Sequence, residues 1–354
     1  MSGSHLDHAG EITVQTDFSS LKDYLESHSE LSVDNFEVKQ FPSGFSNLTY
    51  LLICNGKEYV MRRPPIGANI KSAHDMGREF KVLSLLMKKY SYVPKPVLYC
   101  EDENVIGAPF YIMERVKGVI LRSKPPEGLN LSSSVMKNLS INTVNKMVEL
   151  HGLPLIDGLE TLGKPEGYNV RQVKGWIKRY FAAETDDIPK MNFVSEWMND
   201  QIPEYENPTL IHNDFKYDNL VLDSDDLTSI MAILDWEMAT IGDPLMDVGT
   251  SLGYWAEADD NPALKYNLTW LPGNLTRQEF VDHYADQTGR NVDDILFYYV
   301  FGLFKIGVIV QQIYARYKKG LTKDPRFAQL KFVLEGCADT AYRAIEYKRI
   351  SHLK

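Results

Sequence analysis

The stretch Leu210-Ile-His-Asn-Asp-Phe-Lys-Tyr-Asp-Asn219, followed by Ile233-Leu-Asp-Trp-Glu237, decides how the rest of the chain is read. Between and around these pieces, Leu220–Leu234 has the pattern of a β-hairpin. If Asn219–Asp223 pairs antiparallel with Ile230–Leu234, Asn219 lies opposite Leu234. Its side chain is then one residue from Asp235 across the open end of the hairpin. Two oxygen ligands held that way suit Mg²⁺, which takes few protein ligands beside phosphate oxygens and water. Asp214 lies five residues before Asn219, on a loop that can reach the same space. A carboxylate there can accept or orient the proton of a substrate hydroxyl.

Upstream of this stretch the chain is rich in strands. Phe18–Ser27 reads as a short helix, and Asn35–Phe41, Asn47–Cys54 and Lys57–Arg63 read as strands of Val, Leu, Ile, Thr and Tyr. Asn55-Gly56 is a strong two-residue hairpin turn, because both residues tolerate positive φ. Ser72–Tyr90 follows as a helix, with Phe80, Leu83 and Met87 on one stripe. Val97–Glu101 and Pro109–Glu114 complete a five-stranded sheet carrying one long helix. After Gly118 the pattern turns helical: Ser132–Leu150, Val170–Thr185, Phe193–Asn199, Leu245–Tyr254, Arg277–Gln287, Val292–Lys318 and Asp324–Tyr347. The expected class is α+β and bilobal, with a flexible start (1–17), a small antiparallel lobe (18–117) and a larger helical lobe (118–354). The cleft between two such lobes is the expected binding site.

Composition is that of a folded protein: 354 residues, 44% hydrophobic and 24% charged. A net charge of −10 argues against bulk nucleic-acid binding. Cys54, Cys100 and Cys337 lie far apart, without metal or disulfide spacing, which fits a reducing cytoplasm. The opening Met1–Gly10 has no apolar core, so no secretory signal is read there. The longest apolar run, Ile295–Ile313, is interrupted by Lys305 and Gln311–Gln312 and is expected to be a buried core helix rather than a membrane span.

The order Asp214, Asn219, Asp235 resembles a kinase catalytic loop and its metal aspartate. More specifically, His212-Asn-Asp-Phe-Lys-Tyr-Asp-Asn219 with Asp235-Trp-Glu-Met-Ala-Thr-Ile-Gly-Asp-Pro244 resembles the aminoglycoside phosphotransferase superfamily, which includes choline kinase-like enzymes. The nearest branch is the kinase-like domain linked to certain acyl-CoA dehydrogenases. Gly44-Phe-Ser-Asn-Leu-Thr-Tyr50, Tyr59-Val-Met-Arg-Arg-Pro-Pro65, and Gly163-Lys-Pro-Glu-Gly-Tyr168 with Arg171, Gln172 and Trp176 match it too. Where the family usually has Gly after the loop histidine, this chain has Asn213.

The resemblance implies a protein-kinase-like fold, ATP and Mg²⁺ as cofactors, Asp214 as catalytic base, and Asn219 and Asp235 as metal ligands. It implies that Gly44, Ser46 and Asn47 cover the phosphates and that backbone groups at Glu114 and Val116 hold adenine. Arg62 takes the place of the phosphate-contacting lysine, with Glu79 as its partner. Arg63 competes for that role, but successive strand residues face opposite sides, so only one of them can serve. His212 is expected to buttress the loop, and Asp243 and Asp247 to cap or brace the next helix.

Only nine residues separate Asp235 from Leu245, too few for the long segment on which protein kinases dock a peptide. The expected activity is therefore phosphoryl transfer to a hydroxyl of a small molecule. Lys305, Arg316 and Lys318 on the Ile295–Lys318 helix favour an anionic acceptor, a hydroxy acid or a hydroxyacyl thioester. An aminoglycoside- or choline-type acceptor and an inactive nucleotide-binding scaffold are the alternatives.

Overall fold

The structure is a computed structural model and describes residues 16–41, 47–65, 75–322 and 325–354. The chain divides into two compact units. The first runs through Ile120 and adds Leu220–Asp226 and Ile230–Ala239; the second holds the remainder. Of the expected flexible start only Thr16 and Asp17 are described.

The first unit is built on β1 (Phe36–Gln40), β2 (Leu48–Cys54), β3 (Lys57–Arg63), β4 (Pro96–Cys100) and β5 (Phe110–Glu114). They form one antiparallel sheet in the order β1-β2-β3-β5-β4. Asn55 (φ 49°) and Gly56 (φ 78°) make the turn between β2 and β3, which sets Cys54 opposite Lys57. Both central residues at positive φ match the twist of the flanking strands. Tyr50, Leu52 and Met61 point to one face, where Leu21 and Leu25 of α1 (Leu21–His28) pack with Phe110 and Ile112. Asp75 caps α2 (Met76–Leu86) by accepting the Arg78 N–H at 2.9 Å. The helix ends at Leu86, short of the predicted Tyr90; the chain beyond closes in a tighter turn, the Lys89 N–H reaching the Leu86 carbonyl three residues back at 2.8 Å. A four-residue turn, α3 (Glu103–Ile106), separates β4 from β5.

The hairpin β7 (Leu220–Leu222) and β8 (Ile230–Ile233) has Leu220 opposite Ile233 and Val221 opposite Ala232, as predicted, but the register shifts at Leu222, which lies opposite Ile230 instead of the predicted Met231. It groups with the first unit rather than with the helical remainder. Val119 and Leu222 exchange two backbone hydrogen bonds of 2.8 Å, and Ile233 donates to the Tyr92 carbonyl at 2.7 Å. A side chain at Gly118 would run into the Leu222 carbonyl, so this contact requires glycine.

The second unit contains α4 (Ser133–His151), α5 (Tyr168–Ala182), α6 (Pro189–Asp200), α7 (Pro244–Tyr254), α8 (Arg277–Thr288), α9 (Ile295–Lys318) and α10 (Leu330–Tyr347). It also holds β6 (Thr209–Ile211) paired with β9 (Thr240–Gly242), which the sequence does not predict. Helix α9 is long and apolar enough to cross a membrane, but most of it is buried, packed against α5, α6, α7 and α10. At its crossing with α7, Gly249 meets Gly302, and a Cβ on either would strike the other helix's backbone.

Arg277 is 1% exposed and ties the end of the described chain to this unit. Its guanidinium donates to the carbonyls of Trp255 (2.9 Å) and Ile350 (2.5 Å) and to both Glu257 (3.2 Å) and Asp260 (3.0 Å). Glu257 in turn accepts from Ser351 Oγ at 2.6 Å and the His352 N–H at 3.1 Å. Removing one member of a buried ion cluster leaves its partners uncompensated, at a cost of about 3–5 kcal/mol. Arg277→Ala should therefore lower the urea midpoint of unfolding by a corresponding amount and speed amide exchange at Ile350–His352. A loss under about 1 kcal/mol, the range of an exposed pair, would show that the cluster does not hold this segment.

Candidate active site

In the first unit the alternation along β3 separates the two arginines. Arg63 turns to the α1 face, where its guanidinium donates to the Ile106 carbonyl at 2.7 Å. Arg62 turns to the α2 face and spreads its fork over two carboxylates: Glu79 Oε1 at 2.5 Å and Asp235 Oδ1 at 2.9 Å. A third, Glu237, lies 3.9 Å away. Burial opposes the charge on Arg62, but Glu79 and Asp235 more than offset it and hold the guanidinium protonated. Burial also pushes the Glu79 carboxyl up, and Arg62 pulls it part of the way back. One planar fork can bridge two acids at fixed angles, which a single ammonium does less well.

Asp235 adopts a left-handed backbone (φ 67°), uncommon for a residue with a side chain. Neighbouring contacts hold it there. Trp236 Nε1 donates back to the Ile233 carbonyl at 2.8 Å, and Arg78 reaches the Ala239 carbonyl at 2.6 Å. Asn47, predicted to cover phosphates, is 3% exposed and donates its amide to Glu237 at 2.7 Å. Gly44 and Ser46, predicted for the same role, lie outside the described residues. Glu114 spends its N–H on the Lys95 carbonyl and its carboxylate on the Lys95 ammonium. The Val116 N–H has no backbone partner among the described residues.

In the second unit the loop between β6 and β7 is fastened from below. Asp247, fully buried on α7, accepts the N–H groups of His212 and Asn213, both at 2.7 Å. His151 adds a third donor through Nε2 at 3.2 Å, its Nδ1 facing the Tyr284 hydroxyl at 2.8 Å. Burial pushes the Asp247 carboxyl up, but these donors overcome it and keep it below the usual range. Asn213 sits at φ 66°, the conformation that favours the glycine usual at this position. Its side chain bonds the Tyr168 hydroxyl. His212 is wholly buried and accepts the Asp214 N–H on Nδ1 at 3.2 Å, a buttress.

The Asp214 carboxylate is held by two neighbours. Lys216 Nζ lies 3.0 Å from Oδ1 and 2.9 Å from Oδ2. Asn219 Nδ2 donates to the Asp214 carbonyl at 2.8 Å and to Oδ2 at 2.9 Å. With its nitrogen so engaged, Asn219 has its oxygen left for a cation. Lys216, not singled out by the motif, is the residue the structure adds to this cluster. A lone cation two residues after Asp214 was a usable signal. Its ammonium also lies over the Tyr254 ring, 4.5 Å from the centroid. Burial pushes the neighbouring Asp218 carboxyl up to about 6. Asp243 caps α7, accepting the Leu245 N–H at 2.9 Å.

The cations of α9 do not gather into an anion site. Lys305 is 3% exposed and donates to the Asn213 carbonyl at 2.7 Å. Arg316 and Lys318 stand exposed in the last turn, Lys318 facing Asp186 at 3.9 Å. The sequence argument from these three residues to an anionic acceptor therefore loses its physical basis: a helix buried on most sides has no single cationic face.

Comparison with known proteins agrees with this geometry. The model of the phosphotransferase enzyme family matches residues 37–280. Acyl-CoA dehydrogenase family member 11 of Homo sapiens is 36% identical over 315 residues, which cover 86% of this chain and 40% of that protein. Family member 10 of Mus musculus is 33% identical, covering 91% of this chain and 30% of that protein. The chain thus spans well under half the length of these curated relatives. Among solved structures, a Ralstonia eutropha protein named for the aminoglycoside phosphotransferases superposes with a TM-score of 0.79 at 28% identity, covering 94% of this chain and 99% of that one. An ethanolamine kinase of Plasmodium vivax shares the fold at a TM-score of 0.58 and 14% identity, covering 92% of this chain and 88% of that one. An antiparallel five-stranded unit, a helical unit, a fastened Asp-Asn loop and these likenesses together place the chain in the phosphotransferase enzyme family, among small-molecule phosphotransferases of protein-kinase-like fold.

Proposed function

We propose that this protein transfers the γ-phosphoryl group of ATP to a hydroxyl of a small molecule, with Asp214 as the base. The observation that carries the proposal is the Asp214 carboxylate, clamped by Lys216 and Asn219 on a loop whose backbone is fixed from beneath. As the acceptor oxygen bonds to phosphorus and the bond to the β-phosphate oxygen breaks, the hydroxyl proton passes to Asp214 and ADP departs. Such chemistry rests mainly on positioning and charge stabilisation. Lys216, beside Asp214, supplies positive charge on the same loop.

Mg²⁺ is assigned on the donor chemistry of two side chains, each taken by itself. Asn219 would offer its side-chain oxygen, its nitrogen being turned to Asp214, and Asp235 would offer its carboxylate, 31% exposed. When bound, the ion neutralises charge on the phosphates. Arg62, paired with Glu79, is assigned to the phosphates, and the Val116 N–H with the Glu114 carbonyl to adenine. Cys54, Cys100 and Cys337 are buried and unpaired, in keeping with a reducing, cytoplasmic setting.

For the acceptor we favour a hydroxyacyl thioester or hydroxy acid, because the curated relatives are named as acyl-CoA dehydrogenase family members. An aminoglycoside-type acceptor is the second reading, supported by the name of the Ralstonia eutropha neighbour. Measuring ADP release across hydroxy acids, their CoA thioesters, aminoglycosides, choline and ethanolamine decides between them. A protein that binds ATP with Mg²⁺ but releases no ADP with any of these would instead be a nucleotide-binding scaffold.

Three variants probe the assignments. Asp214→Asn should lower kcat by about 10²–10⁴, the usual contribution of a positioned acid or base, with ATP affinity within about threefold of wild type on the same reasoning. Loss of ATP binding with kcat preserved would give Asp214 a different role. Asp235→Ala should abolish Mg²⁺-dependent turnover in folded protein, and near-normal kcat would remove it from the metal site. Arg62→Ala should raise the KM for ATP more than Arg63→Ala does. The opposite ranking would mean that β3 presents its other face to the nucleotide.

A further inference from the structure

Lys305 stands near the middle of α9, nearly sealed from solvent, and its ammonium is 2.7 Å from the Asn213 carbonyl. That carbonyl belongs to the peptide that leads into Asp214. The other end of the same peptide, the Asp214 N–H, donates to His212 Nδ1 at 3.2 Å. The preceding peptide is held by the Asp247 carboxylate at 2.7 Å, and the Asn213 side chain by the Tyr168 hydroxyl. Both polar ends of the link between Asn213 and Asp214 are therefore spoken for, one by a histidine and one by a buried cation.

A neutral donor could satisfy a carbonyl, and a buried ammonium is costly without compensation. The charged groups facing Lys305 show where compensation comes from. Asp214 on the loop and Asp247 on α7 favour its charge, whereas Lys216 on the loop and Arg179 on α5 oppose it. His151 and His212 stand behind Asp247. The Trp176 ring of α5 lies 5.8 Å from the ammonium.

We propose that Lys305 is a positioning residue for phosphoryl transfer: it locks the Asn213–Asp214 peptide and so aims the Asp214 carboxylate, without itself touching nucleotide or acceptor. The inference rests on Asp214 being the base. Burial pushes the Lys305 amine down to about 8, the acids offsetting part of the effect. The amine is charged below that pH and discharges above it, so the grip on the carbonyl is strongest at neutral pH and weakens on the alkaline side.

Lys305→Met keeps the length and apolar stem and removes the charge and the donor. The Asn213 carbonyl then loses its buried donor, so thermal melting first confirms that the variant folds. The test reads MgATP hydrolysis, with water as acceptor, across pH 6–10, together with amide exchange of the segment from Ile211 to Phe215. The expected result is a kcat at least tenfold lower at pH 7 with the KM for ATP within about twofold, since only positioning is lost. The wild-type alkaline decline near pH 8 should be absent from the variant. Exchange at Asp214 and Phe215 should be at least tenfold faster, with α7 and α9 unchanged. A folded variant with wild-type kcat, the same alkaline limb and unaltered exchange would overturn the proposal. So would a parallel rise in KM and fall in thermal stability without a change in the pH profile. Should the methionine variant not fold, Lys305→Gln, which keeps a donor and loses the charge, must still lose the alkaline limb. Failure of the Asp214 assignment is distinguishable: Asp214→Asn would then turn over like wild type, whatever the exchange measurement on Lys305→Met shows.

Discussion

Asp247 accepts the peptide N–H groups of His212 and Asn213 and the Nε2–H of His151 on a carboxylate that solvent does not reach, and the shape of the loop that carries Asp214 depends on that arrangement. A buried carboxylate costs several kcal/mol unless its lone pairs are met. Here three donors meet them, and the same bonds that stabilise the acid determine where the loop runs. Because Asp247 is carried by α7, and α7 crosses α9 at Gly249 and Gly302, the loop inherits its position from the core of the helical unit. Lys305 closes the circuit from α9 back to the Asn213 carbonyl.

The first unit solves a comparable problem with strand alternation. Arg62 and Arg63 are adjacent, both are buried, and they serve opposite faces of β3. Arg63 is absorbed by a backbone carbonyl beside α1, while Arg62 collects Glu79 from α2 and Asp235 from beyond β8. An arginine where the family's lysine is expected therefore has a local rationale, since its fork engages both acids at once.

Much of this was legible in the sequence, for reasons that can be traced to particular residues. Asn55-Gly56 fixed the β2–β3 register because few other pairs accept two positive φ values, and the Leu220–Leu234 hairpin declared its pairing through its apolar runs. The alternation that separates Arg62 from Arg63 follows from the pleat. Other features were hidden. Strands β6 and β9 have three residues each, too short for any period to show. The turn of Asn47 toward Glu237 joins residues 190 positions apart, and no local pattern encodes it. Lys305 reads in the sequence as a cation for an anionic acceptor, because sequence shows a charge but not the carbonyl waiting for it. On a helix apolar nearly all round, the polar exception is the informative residue.

The meeting of Gly249 and Gly302 bears on how this scaffold can be engineered. Replacing helical glycines with alanine is a common route to thermostability, worth up to about 1 kcal/mol each where the space is open. At these two sites the added methyl would meet main chain, which cannot rotate out of the way as a side chain can. Helix propensity and interhelical spacing thus demand opposite residues, and spacing prevails. A library that ranks substitutions by propensity alone would select against the loop that carries Asp214, because prising α7 from α9 displaces Asp247 and the loop amides it holds.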